Sequence, residues 1–189
     1  DWCYQYDIRL NTLSEDEKIL QSLGYDKDAI KVSDFTFVNI TDKQTKSEMT
    51  NFIKRYEWLG SISQYPTHWF GAYYNGILGG VVIMNMPNAF SKLLGEDTRK
   101  LEWLISRGAC ASWTPKNLAS AFLAWSMKWM VKNTNYRLFT CYSDPQAKEL
   151  GTIYQALNAY YLGKDSGTTS RYVNPYSGKI VSDRFFRSR

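Results

Sequence analysis

The stretch Leu101-Glu-Trp-Leu-Ile-Ser-Arg-Gly-Ala-Cys-Ala-Ser-Trp-Thr-Pro-Lys-Asn-Leu-Ala-Ser120 decides how this chain is read. Leu101 to Arg107 has the composition of a strand, Gly108 and a run of small residues follow, and Thr114-Pro115 then opens a long helix. Thr is a favoured N-cap and Pro is favoured at the first helical position. The apolar pattern persists to Val131. A strand end, small residues and a helix N-terminus in succession expose backbone N–H groups at the positive end of a helix dipole, which favours a phosphate. Lys116 and Arg107 can add charge-assisted contacts to a pyrophosphate. An ordinary strand-to-helix connection has the same local pattern, so the elements on either side decide its meaning.

Upstream, Ser14 to Leu23 reads as a short helix capped by Ser14 and stopped at Gly24, within an N-terminal helical extension over residues 1–33. Asp34 to Ile40 alternates as a strand. Thr41-Asp42 opens a helix to about Leu59, with Met49, Phe52, Ile53, Tyr56 and Leu59 on one buried face. His68 to Tyr74 and Ile77 to Met84 are β-type runs joined by Asn75-Gly76, a strong hairpin signal. After Pro87 the chain reads as irregular.

Downstream, Tyr136 to Tyr142 is a strand, Ser143-Asp144-Pro145 a turn, and Gln146 to about Tyr160 a helix interrupted by Gly151. Short β-like pieces follow near Arg171 to Val173 and Ile180 to Ser182. From Asp34 the order is β, α, β, β, β, α, β, α, β, which resembles a GNAT domain, in which coenzyme A lies between the fourth strand and the next helix. The expected class is α+β: a GNAT-like fold with a central mixed, mostly antiparallel sheet flanked by helices, occupying residues 34–189.

Composition sets the limits. The chain has 189 residues, 44% of them apolar, enough for one domain with a sizeable core. Seven Trp, fourteen Tyr and nine Phe suit a thick core and leave rings for a stacking groove. A formal charge of +5 permits a polyanionic partner without requiring one. Lys179, Arg184, Arg187 and Arg189 flank Phe185 and Phe186 at the C-terminal end, where a solvated tail is the plainer reading. Cys3, Cys110 and Cys141 are an odd number without CxxC spacing, so neither a disulfide framework nor a structural zinc site is expected, and a reducing cytoplasm fits best. No apolar run approaches the roughly 20 residues of a membrane span, and no signal peptide is visible. The sequence begins at Asp1 rather than Met, so residues upstream are expected.

Three side chains are candidates for chemistry. Asp144, at a strand end, can orient a base, bind a metal or cap the next helix. Tyr154 shares a helical face with Ala147 and reaches the site if that face looks toward the strand end; otherwise it is a core tyrosine. His68 is the single histidine, so any mechanism that needs imidazole must use it, although a histidine at a strand start is commonly a surface hydrogen-bonding residue. A zinc deaminase site is disfavoured because no PCxxC pattern occurs.

Taken as a set, Ser106-Arg-Gly-Ala-Cys-Ala-Ser-Trp-Thr-Pro-Lys-Asn117, Tyr142-Ser-Asp-Pro145 and Gly151-Thr-Ile-Tyr-Gln155 resemble the phage-encoded Mom family of DNA-modification proteins, a divergent GNAT branch. The likeness spans roughly residues 56 to 163. It implies acetyl-coenzyme A-dependent modification of adenine N6 in double-stranded DNA to a methylcarbamoyl-type adduct that blocks restriction, in the cytoplasm of the host cell. It also implies a metal, iron, near His68, Asp144 and Tyr154, with Arg107, Gly108, Lys116, Asn117 and Ser120 at the cofactor. The run Arg107-Gly108-Ala109-Cys110-Ala111 departs from the usual GNAT pattern Arg/Gln-x-x-Gly-x-Gly/Ala, which implies fewer phosphate contacts. Adenine N6 is a poor nucleophile because its lone pair is delocalised, so a metal or a base-flipping pocket would help. The alternatives are a conventional N-acetyltransferase acting on a small amine, a peptide or an aminated nucleobase, using Tyr154 as general acid without metal, and a DNA-binding module without activity. The oligomeric state stays open, a homodimer being one option.

Overall fold

The computed structural model describes residues 3–62, 65–87, 95, 100–164, 171–175, 178 and 180–182. The chain divides into two compact units, Asp1–Asn158 and Ala159–Arg189.

The first unit is built on a five-stranded sheet in the order β1-β2-β3-β4-β5, with β1 Thr36–Ile40, β2 Pro66–Tyr74, β3 Ile77–Asn85, β4 Glu102–Cys110 and β5 Leu138–Thr140. β1 to β4 are antiparallel and β5 joins β4 in parallel, which is the mixed sheet expected. The Asn75-Gly76 hairpin forms as read: both residues take positive φ, 46° and 82°, as a two-residue turn with right-handed strand twist demands.

Helix α1 spans Tyr4–Ser22, α2 Lys43–Tyr56, α3 Leu118–Asn133 and α4 Thr152–Ala156. Asp42 caps α2 by accepting from the Thr45 N–H at 2.7 Å, and Met49, Phe52, Ile53 and Tyr56 form its buried face. α2 and α3 cover opposite faces of the sheet. Met49 Cε would lie 2.7 Å from a Cβ placed on Gly71, whereas the neighbouring Phe70 ring packs 5.3 Å from Trp129 and 6.1 Å from Trp125, both on α3. Successive strand residues face opposite sides, so this pair assigns the two faces of every strand in register with β2.

Several boundaries differ from the expected ones. α1 begins at Tyr4, ten residues before Ser14, which lies inside the helix rather than capping it. Thr114 does not cap α3: its hydroxyl turns back to the Ala111 carbonyl at 2.7 Å, and Asn117, at φ 73°, starts the helix instead. β5 ends at Thr140 and is only three residues long. The helix expected from Gln146 is a 3-10 turn at Pro145–Ala147, a break at Lys148 and Gly151 with positive φ, and then the short α4. The irregular stretch after Pro87 falls largely, and the basic C-terminal tail almost entirely, outside the described residues.

In the second unit β6, Arg171–Val173, pairs antiparallel with β7, Ile180–Ser182, as a separate two-stranded sheet. Among the described residues no helix is long and apolar enough to cross a membrane.

Candidate active site between β4 and β5

β4 and β5 are hydrogen-bonded neighbours only where Glu102–Leu104 face Leu138–Thr140. Beyond Leu104, β4 continues to Cys110 without that partner, so the sheet parts and leaves backbone polar groups that a bound molecule can satisfy. At the parting β4 carries a bulge: Met84 opposes Ile105 but Ile83 opposes Arg107, and the extra residue, Ser106, donates its hydroxyl to the Ile83 carbonyl at 3.0 Å. Ile83 is also in register with Trp69, so the bulge turns Arg107 onto the face covered by α2.

Arg107 lies among the residues that follow α2. Its Nε donates to the Ser61 carbonyl at 2.6 Å, Nη1 donates to the Ser106 carbonyl at 2.6 Å, and the Glu57 carboxylate stands 4.0 Å from Nε. Glu57 is buried and accepts from the Gly60 N–H at 2.6 Å. Burial pushes its carboxyl pKa up and Arg107 draws it back down. A second carboxylate bridges two segments: Glu149 accepts from Trp58 Nε1 at 3.0 Å and from the Asp144 N–H at 2.8 Å.

Tyr154, on α4, completes this cluster. Burial raises its phenol well above the ordinary tyrosine range; Cys141, Glu149 and Glu57 push the same way and Arg107 opposes them. Burial likewise pushes the Cys141 thiol up to about 11. At neutral pH both groups keep their protons, so Tyr154 is equipped to donate a hydrogen bond to developing negative charge and not to remove a proton. Asp144 caps the following 3-10 turn, accepting from the Gln146 N–H at 2.9 Å.

The segment from β4 to α3 supplies a different surface. Gly108 is exposed, and a Cβ there would meet nothing nearer than the Val81 carbonyl at 3.7 Å, so the fold itself does not require glycine. Lys116 and Asn117 are exposed at the start of the 16-residue α3, with the Ser120 hydroxyl on the Asn117 carbonyl at 3.1 Å. Ala111 to Thr114, by contrast, are buried, and Trp113 stacks on Phe35 with centroids 5.9 Å apart. Anion-binding capacity is therefore concentrated at Lys116, Asn117 and the first turn of α3.

His68 belongs to the other face. Its ring lies among Trp103, Trp129 and Tyr136, at 6.2, 6.2 and 6.4 Å between centroids, and pairs with the Thr67 hydroxyl at 2.9 Å. Burial lowers its pKa, and the charge of Lys46 lowers it further. His68 and Tyr154 share none of these neighbours. Asp144 has an oxygen committed to a backbone N–H, and among the described residues no group of three His, Cys, Asp or Glu side chains gathers as metal ligands do. The set His68, Asp144 and Tyr154 does not fit an iron site in this arrangement.

The sequence reading did not single out Glu57, Trp58, Ser61, Cys141 or Glu149 in this cluster. It also passed over Asn85, Glu102 and Thr140, which are 9%, 1% and 7% exposed and carry buried oxygens without a hydrogen-bond partner among the described residues. Asn85 and Thr140 both stand opposite Leu104, and Glu102 is two residues from it on β4, so all three belong to the α2 face beside the parting.

The family model for the Mom protein family matches residues 23–188. No curated protein matches the chain. A solved structure of the aminoglycoside N-acetyltransferase AAC(6')-Iy in complex with CoA aligns at a TM-score of 0.56 and 12% identity, covering 73% of this chain and 95% of its own. A ribosomal-protein-alanine N-acetyltransferase from Brucella melitensis biovar Abortus 2308 aligns at 0.49 and 13% identity, covering 71% and 96%. An aminoglycoside acetyltransferase from an uncultured soil metagenomic sample, in complex with sisomicin, aligns at 0.49 and 8% identity, covering 74% and 96%. The fold is that of the GNAT acetyltransferases.

Proposed function

The chain belongs to the Mom protein family, and from that membership and the site's geometry we propose that it transfers an acyl group from acyl-coenzyme A to the exocyclic amine of adenine in double-stranded DNA. The observation that carries the reading is a half-buried, protonated Tyr154 beside Arg107 at the parting of β4 and β5 in a GNAT fold. The solved acetyltransferase of the same fold holds CoA. Lys116, Asn117, Ser120 and the N-terminus of α3 would take the phosphates of the cofactor, with Gly108 leaving room for its chain and Arg107 nearer the acyl end.

In the step itself the amine nitrogen attacks the thioester carbonyl, a C–N bond forms and the C–S bond breaks. The departing thiolate accepts a hydrogen bond from the Tyr154 hydroxyl and is then protonated from solvent, and the proton lost from nitrogen passes to water. A free thiol has a pKa of about 8.5, far below the raised phenol, so the phenol keeps its proton and acts by stabilising the charge that develops on sulfur as the C–S bond breaks. A methylcarbamoyl-type adduct contains a nitrogen that an acetyl group does not bring, so this acyl transfer yields an acylated amine and not that adduct. None of it passes through a metal. Asp144 contributes by shaping the turn that sets Glu149 beside Trp58. The formal charge of +5 supports a nucleic-acid acceptor. We assign the activity to residues 34–189.

The competing reading is transfer to a small amine or a peptide, which the same protonated Tyr154 serves equally well. Acetyl-labelled acetyl-CoA incubated with the full chain separates the two. Label appearing in duplex DNA with chelator present is the expected result; label entering only an added small amine or peptide contradicts DNA as the acceptor.

A further inference from the structure

Helix α1 ends before residue 23, where the family match begins. Even so, it is bonded to the segment between β4 and α3. Asp16, in the middle of α1, is 2% exposed. Its Oδ1 accepts from Arg55 Nη2 at 3.0 Å and from the Tyr56 hydroxyl at 2.9 Å. Its Oδ2 accepts from the same tyrosine at 3.0 Å and from the Ser112 hydroxyl. Two turns earlier on the same helix, Arg9 Nη2 donates to the Thr114 carbonyl at 2.9 Å. Gln5 donates to the Tyr56 carbonyl and accepts from the Trp58 N–H at 3.1 Å.

A buried carboxylate is costly unless it is paired and hydrogen-bonded. Here the bonds that compensate for burial run to two places: the end of α2, beside Glu57, and the segment that precedes Lys116 and Asn117. Thr114 has its own anchor in this segment, since its hydroxyl and N–H both return to the Ala111 carbonyl, at 2.7 and 3.2 Å, whereas the Ser112 hydroxyl goes to Asp16. The Ala111 N–H ties the start of the turn to the Gly79 carbonyl at 2.9 Å, and the contacts to α1 attach its later residues to a second element.

We propose that Asp16 is a positioning residue for the cofactor: through Ser112, and with Arg9 on Thr114, α1 holds the β4–α3 segment so that Lys116, Asn117 and the first turn of α3 meet the phosphates of acyl-coenzyme A. This rests on the acyl-coenzyme A reading above. Loss of the bond loosens the segment before the cofactor arrives, and ordering it then opposes binding. The penalty falls on cofactor affinity, while the hydrogen-bond donor Tyr154, on a different element, is untouched.

The test titrates coenzyme A into the full chain by calorimetry, alongside acyl-transfer kinetics and thermal melts, for wild type, Asp16→Asn, Ser112→Ala and the double variant. Glu15→Gln is the control, because exposed Glu15 binds the same Arg55 at 2.9 Å and not the segment. We expect Kd and the KM for acyl-coenzyme A to rise about tenfold in Asp16→Asn and about threefold in Ser112→Ala, with kcat unchanged. The double variant should be no weaker than Asp16→Asn alone, and Glu15→Gln should match wild type. If wild type binds and Ser112→Ala binds equally well while Asp16→Asn only melts earlier, Asp16 is a structural brace and the proposal is overturned. Failure of wild type to bind coenzyme A overturns the acyl-coenzyme A reading, and this inference with it.

Discussion

Tyr154→Phe removes one hydroxyl and almost no volume from a phenol that burial keeps protonated. Activity should fall by about 10²-fold or more in kcat while coenzyme A binds as before, measured by thiol release and calorimetry; a variant with full kcat takes Tyr154 out of the chemistry. His68 carries a pH signature. Its folded pKa is depressed below the ordinary histidine value of about 6.5, so the unfolded chain binds the extra proton more readily. The resulting stability is present above about pH 6.5 and is lost as pH falls through the folded value. Denaturant melts should show wild type losing stability through that acid range and His68→Gln losing less. Glu102 is the opposite kind of residue, a buried carboxylate oxygen without a partner among the described residues. Replacing it by Met should stabilise the chain by about 1 kcal/mol or more, seen as a Tm rise of roughly 2–4 °C; a lower Tm shows the carboxylate is held by something else. Tyr154 and Asp144 could be picked out because they stand in short motifs beside glycine and proline. Glu57, Glu102 and Glu149 could not: burial of a carboxylate is a property of the packing around it, and nothing in the local pattern distinguishes it from a solvated one.

The elements that carried strong local signals formed where they were expected. Asp42 caps α2, and Asn75-Gly76 makes the hairpin, because both act through bonds to residues two or three positions away. The misplaced boundaries are those settled by distant partners. Thr114 has the composition of a cap, yet it is buried and its carbonyl is claimed by Arg9 of α1, so α3 starts three residues later than its Pro115 suggests. β5 stops at Thr140 because parallel pairing with β4 ends there, which is invisible in the run Tyr136 to Tyr142. Two glycines separate folding from function at this level. A Cβ on Gly79 would meet Phe35 at 2.7 Å, Trp113 at 3.1 Å and Thr114 at 3.2 Å, so Gly79→Ala should cost about 1–3 kcal/mol and disturb the β4–α3 segment. Gly108→Ala meets only ordinary contacts, at 3.7 and 3.8 Å. It should leave the melting curve within about 0.5 kcal/mol of wild type while raising the Kd for coenzyme A. Equal affinity in Gly108→Ala would move the cofactor's path away from β4.

For the chain as a whole, the order of strands and helices was legible from periodicity and turns, and it pointed to the GNAT fold that the structure and its solved relative share. The β6 and β7 pieces also formed at the residues expected, whereas the length of α1 was less legible, since it begins ten residues before the capping signal at Ser14. The surplus of Lys and Arg, 23 against 18 Asp and Glu, fits a surface that meets a polyanion, and affinity for duplex DNA should fall steeply as salt rises. Whether the proposed acylation of adenine in DNA takes place is read by nucleoside mass spectrometry. Genomic DNA from cells expressing the wild-type chain, digested to nucleosides, should contain an acylated deoxyadenosine that is missing from cells expressing Tyr154→Phe. DNA free of any adduct from cells whose purified wild-type chain binds coenzyme A and acylates a small amine would contradict it.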